Sequence, residues 1–451
     1  MFKRIITLFL AVAMVVAMGS LAGCKAKKPT TAQGNTSGLD KTEEEYFLNM
    51  PEDLIGTNVK YATWIDHEAT DTAIALAGFE MTTGMSYELV SVKQSDYIPK
   101  LTSLIAADQS PDVVKENGDF PKTLNVLQPL GKDSESGLDP TDPFWDQDIT
   151  EYFHIGDCYY MVIGKNCSWH RGGAMVYYNK TMLAENGVKD PAAYIAEDNW
   201  NLDTLWTLMT QVKSTCNLSM AGTYICFDDF LAAYGGNQVV FDTTTDKFVN
   251  TLKTAESKEA INYMMKAKDQ GLASIMNDHS DTLSKGTSAV QIAGSYGLKA
   301  SPGWFYAMDI ADLGFAVMPK KNAGDANYAF TTNIRAYGIC KGARNPRGGA
   351  YFMRYFLNED NYDLSQVFKN EEARELNKIV RENQVIPTMP VSLGVGRVVD
   401  PSYKATTLVD ELIKGTAAQV NVNLDIVNNK LQAAVDESNK MIAEIIENQN
   451  K

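Results

Sequence analysis

The sequence is poor in cysteine and histidine and has no surplus of positive charge, and each shortage closes off a class of function. Six cysteines and four histidines are spread over 451 residues. No Cys-x-x-Cys pair or Cys/His cluster offers the tetrahedral ligand set of a structural zinc. His170 lies close to Ser168 but has no third member to complete a catalytic triad. There is no Gly-x-Ser-x-Gly elbow, no His-Glu-x-x-His and no phosphate-cradling loop. Gly286-Thr287-Ser288-Ala289-Val290 only approaches the first of these, and Gly394-Val395-Gly396 lacks the third glycine of a dinucleotide loop. Asp228-Asp229 and the Asp242/Asp246 pair are the carboxylates a glycosidase would need, but such adjacent and hairpin carboxylates are expected to be solvated. With no assembled nucleophile or acid–base set, neither catalysis nor a cofactor is expected. Asp and Glu number 56 against 41 Lys and Arg, a balance that repels nucleic-acid backbones and anionic headgroups alike.

What is present begins at the amino terminus. Lys3 and Arg4 precede an apolar stretch from Ile5 to Met18 broken only by Thr7, and small residues follow. This order reads as a signal peptide over residues 1–23, and the apolar stretch is shorter than the roughly 20 residues that span a bilayer. Leu21-Ala22-Gly23-Cys24 resembles the lipobox of bacterial lipoproteins, which implies a lipid on Cys24 as the first mature residue; an ordinary signal peptide with a chance cysteine is the other reading. The mature chain would have 428 residues and, without Lys3 and Arg4, 39 basic against 56 acidic residues, net −17. Membrane attachment then has to come from the lipid, because such a surface has no basic patch to offer. A chain of this length suggests about two domains. Residues 25–45 hold almost no apolar side chains and read as a flexible tether, within a stretch 24–54 that precedes the folded part. Five cysteines would remain, an odd number; Cys158/Cys167 and Cys216/Cys226 could be bridged or could be small buried thiols.

From residue 58 onward strand-like and helix-like segments alternate. Asn58–Trp64, Ser86–Val92 and Pro111–Val114 read as strands, with helices over 68–83 and over Tyr97–Asp108, where Ile98, Leu101, Leu104 and Ile105 fall at helical spacing. Strands alternating with helices imply a largely parallel sheet with right-handed crossovers. Farther on, Gly173–Tyr178, Ala289–Ala293 and Leu313–Met318 read as strands. Leu202–Val212, Ser257–Gln270 with Gly271 as its C-cap, Pro346–Leu357 and Leu424–Ile446 read as helices.

Several segments, in order, resemble the extracellular solute-binding proteins of ABC importers, in particular the carbohydrate-type family that includes maltose-binding protein. They are KLTSLIAADQSPDVV (100–114), GAMVYYNKTMLAENGVKDP (173–191), NWNLDTLWTLM (199–209), YGGNQVVFDTTTDKFV (234–249), LSKGTSAVQIAGSYGL (283–298), GICKGARNPRGGAYFMRYFLN (338–358) and IPT (386–388). Asn199 and Asn201 depart from the family pattern, Gly286 lacks a following Lys, and Tyr296 stands where Trp is common. The resemblance implies an α/β, two-lobe periplasmic-binding-protein fold of the class II type with a hinge of crossing strands. The first lobe would hold 55–170 and 335–385, the second 171–334 and 386–451. It further implies a lipid-anchored monomer on the outer face of the cell membrane that captures a mono- or oligosaccharide between closing lobes and delivers it to permease subunits. A surface glycan-binding lipoprotein without transport and a glycoside-active enzyme are the other readings.

Ligands of open α/β sheets sit beyond the carboxyl ends of strands, and sugar sites pair aromatic faces with a few polar groups. On that basis the candidate ligand residues are Trp64, Asp66 and His67 after the first strand, and Glu116 and Asn117 after the third. Trp169, His170 and Arg171 precede the crossing strand. Tyr234 with Gly235-Gly236, Ser295, Tyr296 and Trp304 lie farther along, and Asn333 and Arg335 fall on a second crossing segment. Arg171 or Arg335 could hold a carboxylate in bidentate fashion. Each has a plainer reading: Trp64 packed on the second helix, Glu116 and Asn117 in a solvated loop, the arginines in interlobe ion pairs, the other aromatics in cores.

Overall fold

The apolar strands sort into a four-stranded and a five-stranded sheet, with two small hairpins beside them. A computed structural model describes residues 41–64, 72–165, 173–223, 226–276, 282–299, 308–326, 328, 336–362, 367–382, 389–399, 412 and 415–449. In chain order the first part contains α1 (Lys41–Leu48), β1 (Asn58–Thr63), α2 (Ala73–Thr83), β2 (Ser86–Ser91), α3 (Tyr97–Ala106), β3 (Val113–Lys115) and a small hairpin of β4 (His154–Ile155) and β5 (Cys158–Tyr159). Next come β6 (Ala174–Asn179), α4 (Leu202–Gln211), β7 (Met220–Thr223), α5 (Cys226–Ala233), the hairpin β8 (Val239–Asp242) and β9 (Lys247–Asn250), and α6 (Ala255–Asp269). They are followed by β10 (Ala273–Met276), β11 (Val290–Gly294), β12 (Leu313–Val317), β13 (Tyr337–Ile339), α7 (Pro346–Phe356), α8 (Glu371–Glu382), α9 (Met389–Val399) and α10 (Val420–Gln449).

The first sheet has the order β13-β3-β1-β2, with β1 parallel to both neighbours and β13 antiparallel to β3. The second has the order β10-β7-β11-β6-β12; β10, β7 and β11 are parallel, and β6 runs against β11 and β12. Strands β11 and β12 are buried along their whole length, as expected of a sheet covered on both faces. The chain therefore crosses from one sheet to the other between β5 and β6 and returns between β12 and β13. On the first-sheet side the two crossing segments are joined: Val162 and Tyr337 exchange both backbone hydrogen bonds, each 2.8 Å.

The helices start where side-chain caps dictate. Thr254 caps α6 by accepting from the Ser257 amide at 3.3 Å. Asn201 and Thr204 form a reciprocal capping box on α4. Gly271 closes α6 in the left-handed region, φ 65°, where a side chain would be strained.

Two stretches differ from the sequence expectation, and a third links the two cores. The tether does not run through residue 54: α1 is a helix, and Glu43 is buried against Arg354 (Nε–Oε2 2.9 Å). That partner lies 311 residues away, so local composition could not announce it. Residues 367–382, expected in the first lobe, pack on the second core: Val367, Phe368 and Ala373 join it, and α8 lies on β12. Residues 420–442, expected in the second lobe, pack through α10 on β9, α6 and α9 of that expected lobe, and the cluster that Leu424, Val427, Leu431, Val435 and Ile442 join runs on into the core of the first sheet. The route is the β8–β9 hairpin, which packs under α10 and whose Phe241 and Phe248 meet Phe120 at 5.8 and 5.7 Å. Cys158, Cys216 and Cys340 are free thiols; Cys167 and the Cys226 side chain lie outside the described residues. Among the described residues no helix is long and apolar enough to cross a membrane.

Candidate functional site

The carboxyl ends of β1 and β3 meet the first turn of α3 and the start of β13. Tyr97 is fully buried at that junction, donating to the Ala62 carbonyl (2.8 Å) and accepting from the Lys115 amide (3.2 Å); burial holds its phenol well above the usual range. Trp64, the residue after β1, stands edge-on to the Tyr97 ring, with centroids 5.4 Å apart and planes at 88°. The packing alternative is thus realised along one side of the indole, and Trp64 as a whole remains half-buried. Lys115, opposite Tyr337 in register, brings its Nζ to 5.2 Å from the Trp64 ring and 5.8 Å from the Tyr337 ring. Only 3% of Lys115 is exposed. Lys115 is not among the residues expected from sequence; its place at the end of an apolar strand is the available signal.

Glu116 is not in a solvated loop. It is 0% exposed, and its carboxylate accepts from the amides of Gly118, Asp119 (2.8 Å) and Phe120 (2.9 Å) and from the Thr123 hydroxyl (3.3 Å). A carboxylate so engaged shapes its own loop. Asn117 is likewise buried, donating to the Gln94 carbonyl (3.2 Å) and to Asp119 (2.8 Å). The loop is fastened to α9 by Arg397, which reaches Asp119 Oδ1 and the Gly118 carbonyl, both at 3.1 Å. Burial pushes the Asp119 carboxyl up, and the Arg397 guanidinium opposes it.

On the second sheet, Ser295 follows the carboxyl end of β11, is nearly buried, and donates its amide to the Gly173 carbonyl at 2.8 Å, where the first crossing arrives. Tyr296 follows in the 3-10 turn Ser295–Leu298; its side chain lies outside the described residues. Tyr234 touches both cores and belongs to an aromatic group with Tyr263 (6.1 Å), which in turn meets Trp206 (5.2 Å) and Phe230 (5.9 Å). Lys321 Nζ lies 5.0 Å from the Tyr234 ring, and burial pushes the Tyr234 phenol up to about 12, so it is a neutral donor at physiological pH. The close approach made by Gly236 is to Ser257 at the start of α6: an added Cβ would lie 2.7 Å from that amide. Asp228 and Asp229 contradict the expectation of solvated carboxylates. They are 5% and 0% exposed at the start of α5, directly beyond β7, and Gln238 donates to Asp228 at 2.6 Å. Asp242 holds the hairpin turn through Thr244 and Thr245, and Asp246 accepts from the Gly156 amide at 3.1 Å.

Asp66, His67, Trp169, His170, Arg171, Trp304, Asn333 and Arg335 lie outside the described residues, as does Cys24. Among the described residues, no group of three or more His, Cys, Asp or Glu side chains converges to hold a metal ion. Two groups stand apart among the described residues: a half-buried Trp64 against the buried Lys115 on the first sheet, and Tyr234 on an aromatic group beside the second. They can stack on an apolar face and donate hydrogen bonds, and they present no nucleophile paired with a base.

The chain matches the bacterial extracellular solute-binding protein family over residues 75–366. A comparison with curated protein sequences gives no match. Among solved structures it is similar to an ABC transporter solute-binding protein of Thermotoga lettingae bound to α-D-tagatose. That match has a TM-score of 0.58 at 16% identity and covers 84% of this chain and 100% of the other. It is also similar to the lacto-N-biose-bound sugar-binding protein of Bifidobacterium longum (0.62, 13%, 86% and 98%). A third is a protein of Mycobacterium tuberculosis in complex with glycerophosphocholine (0.60, 17%, 84% and 99%). At these identities the likeness is one of fold.

Proposed function

Because the chain belongs to the bacterial extracellular solute-binding protein family, we propose that it captures a carbohydrate between its two sheet-bearing lobes and hands it to an ABC importer, without chemistry on the solute. The observation that carries this is the edge of the first sheet, where a partly exposed Trp64 stands beyond the carboxyl ends of parallel strands. An indole face suits the apolar face of a sugar ring, and polar groups around it suit the hydroxyl rim. Support comes also from the solved structures of like fold, several of which hold sugars. Trp64, Tyr234 and Ser295 are the proposed contacts within the described residues, and Tyr296 is proposed with them. Asp66, His67, Trp169, His170, Arg171, Trp304, Asn333 and Arg335 complete the set, while Glu116 and Asn117 hold the loop that frames it. The lobes are joined by the crossings before β6 and after β12 and by the return of residues 367–382 to the second core, and closure is a hinge motion driven only by as much as solute favours the closed form. A lipid on Cys24, with residues 25–40 as tether, keeps the protein at the outer membrane face. A diacylglyceryl group supplies the two chains that stable anchoring requires.

A thermal-shift screen against tagatose, maltose, acarbose, lacto-N-biose and a wider sugar set tests the assignment. A ligand at 100 times its dissociation constant stabilises the folded state by about 2.7 kcal/mol. If no carbohydrate moves the transition, the sugar assignment is wrong; a shift with glycerophosphocholine alone would redirect it to phosphodiesters.

A further inference from the structure

We propose that Lys115 is a positioning residue for solute binding: its buried ammonium holds the Trp64 indole in the orientation that receives the sugar. This rests on the reading of Trp64 as the stacking residue. Lysine is almost never buried unless its charge is compensated, and Lys115 is 3% exposed. Two ring systems take part in that compensation, Trp64 at 5.2 Å and Tyr337 at 5.8 Å, through the negative potential of their faces. The attraction is mutual, so the charge that the rings stabilise also holds the rings. Tyr97 packs perpendicular to the indole on one side, and the Lys115 ammonium adds a second contact on its ring. The backbone places it there without slack, because Lys115 closes β3, donates its amide to the Tyr97 hydroxyl and faces Tyr337 across the ladder. An indole already ordered in the free protein spares the cost of immobilising it on binding, about 0.5–1.5 kcal/mol for a side chain of this kind. That corresponds to about two- to tenfold in affinity.

The test compares Lys115→Met, which keeps the length and apolar body but loses the charge, with Lys115→Arg, which keeps a charge that stacks on aromatic faces. Each is made in the wild-type and in a Trp64→Leu background. Without ligand, the near-ultraviolet circular dichroism difference between each protein and its Trp64→Leu counterpart isolates the Trp64 signal. Lys115→Met is expected to weaken that signal and Lys115→Arg to retain it. With whichever of tagatose, maltose, acarbose or lacto-N-biose binds the wild type, Lys115→Met should lose about two- to tenfold in affinity. It should lose nothing further in the Trp64→Leu background, and Lys115→Arg should restore most of the loss. An equal loss in both backgrounds, or an unchanged Trp64 signal, overturns the proposal. If none of these sugars binds, the carbohydrate assignment falls while the ligand-free spectra still decide the coupling of Lys115 to Trp64. Lys115→Gln serves where Lys115→Met does not fold.

Discussion

Replacing Arg354 by leucine takes the common cation away from two carboxylates. Arg354 sits in α7 with a side chain 5% exposed, and Glu43 from α1 is 8% exposed beside it. Its guanidinium donates to Glu43 Oε2 at 2.9 Å and to Asp142 Oδ2 at 2.7 Å, and lies 4.0 Å from the Tyr46 ring and 4.5 Å from the Phe144 ring. Asp142 is partly solvated, at 29%, so most of the penalty falls on the buried Glu43. Breaking a buried pair by removing one partner costs about 3–5 kcal/mol. At roughly 2–4 °C per kcal/mol for a lobe of some 200 residues, the first-lobe transition should fall by about 6–20 °C. Urea unfolding followed by circular dichroism gives the free energy directly. The double variant Arg354→Leu with Glu43→Leu should recover most of the loss, because apolar replacement of both partners is often neutral or better. A single-variant cost below about 1 kcal/mol, or a double variant no better than the single, would show that α1 is only loosely docked.

Other expectations follow from particular contacts. An alanine Cβ at Gly394 would overlap the Phe120 carbonyl, so Gly394→Ala should cost about 3 kcal/mol in urea midpoint terms, whereas Gly131→Ala, with nothing within 4 Å, should change stability by less than about 1 kcal/mol. Cys340 is fully buried and its thiol is pushed up to about 12 by burial; peptide mapping after iodoacetamide at pH 8 should find Cys216 alkylated and Cys340 protected until urea is added. The Tyr234 phenol, also pushed up to about 12 by burial, keeps its proton in the folded state while the unfolded chain loses it near 10. Stability from this group is therefore complete below pH 10 and declines from pH 10 to 12. Tyr234→Phe should flatten that decline in alkaline denaturation curves and remove a late component from the tyrosinate absorbance titration.

The elements were legible where the chain's own periodicity decides them. The apolar spacing of Ile98, Leu101 and Ile105 gave α3, and the runs around Val290 and Leu313 gave β11 and β12 within a residue or two, the differences arising at the caps. What the sequence could not disclose was burial imposed from a distance. Glu116 looked like a loop carboxylate, but the loop folds around it so that three amides point at its oxygens. Asp228 and Asp229 looked solvated for the same reason, and Gln238, ten residues on, is what meets Asp228 inside. α1 reads as tether because its anchor is Arg354. Lys115 reads as the ordinary polar end of a strand until the register sets it opposite Tyr337 and against Trp64.

The docking of α1 also decides where mechanical load goes. A pull arriving along the segment before residue 41 is taken first by Glu43 on Arg354, and beside it by Tyr46 against Tyr351 and Phe47 against Tyr355, all on α7. That helix is pinned at its start by Asn345, which donates to the Asn58 carbonyl at the beginning of β1 and accepts from the Gly348 amide. Force is thus delivered to the amino ends of the first sheet, the edge opposite Trp64 and Lys115. Load taken up through α1 is thereby kept away from the end of the sheet where Trp64 and Lys115 meet.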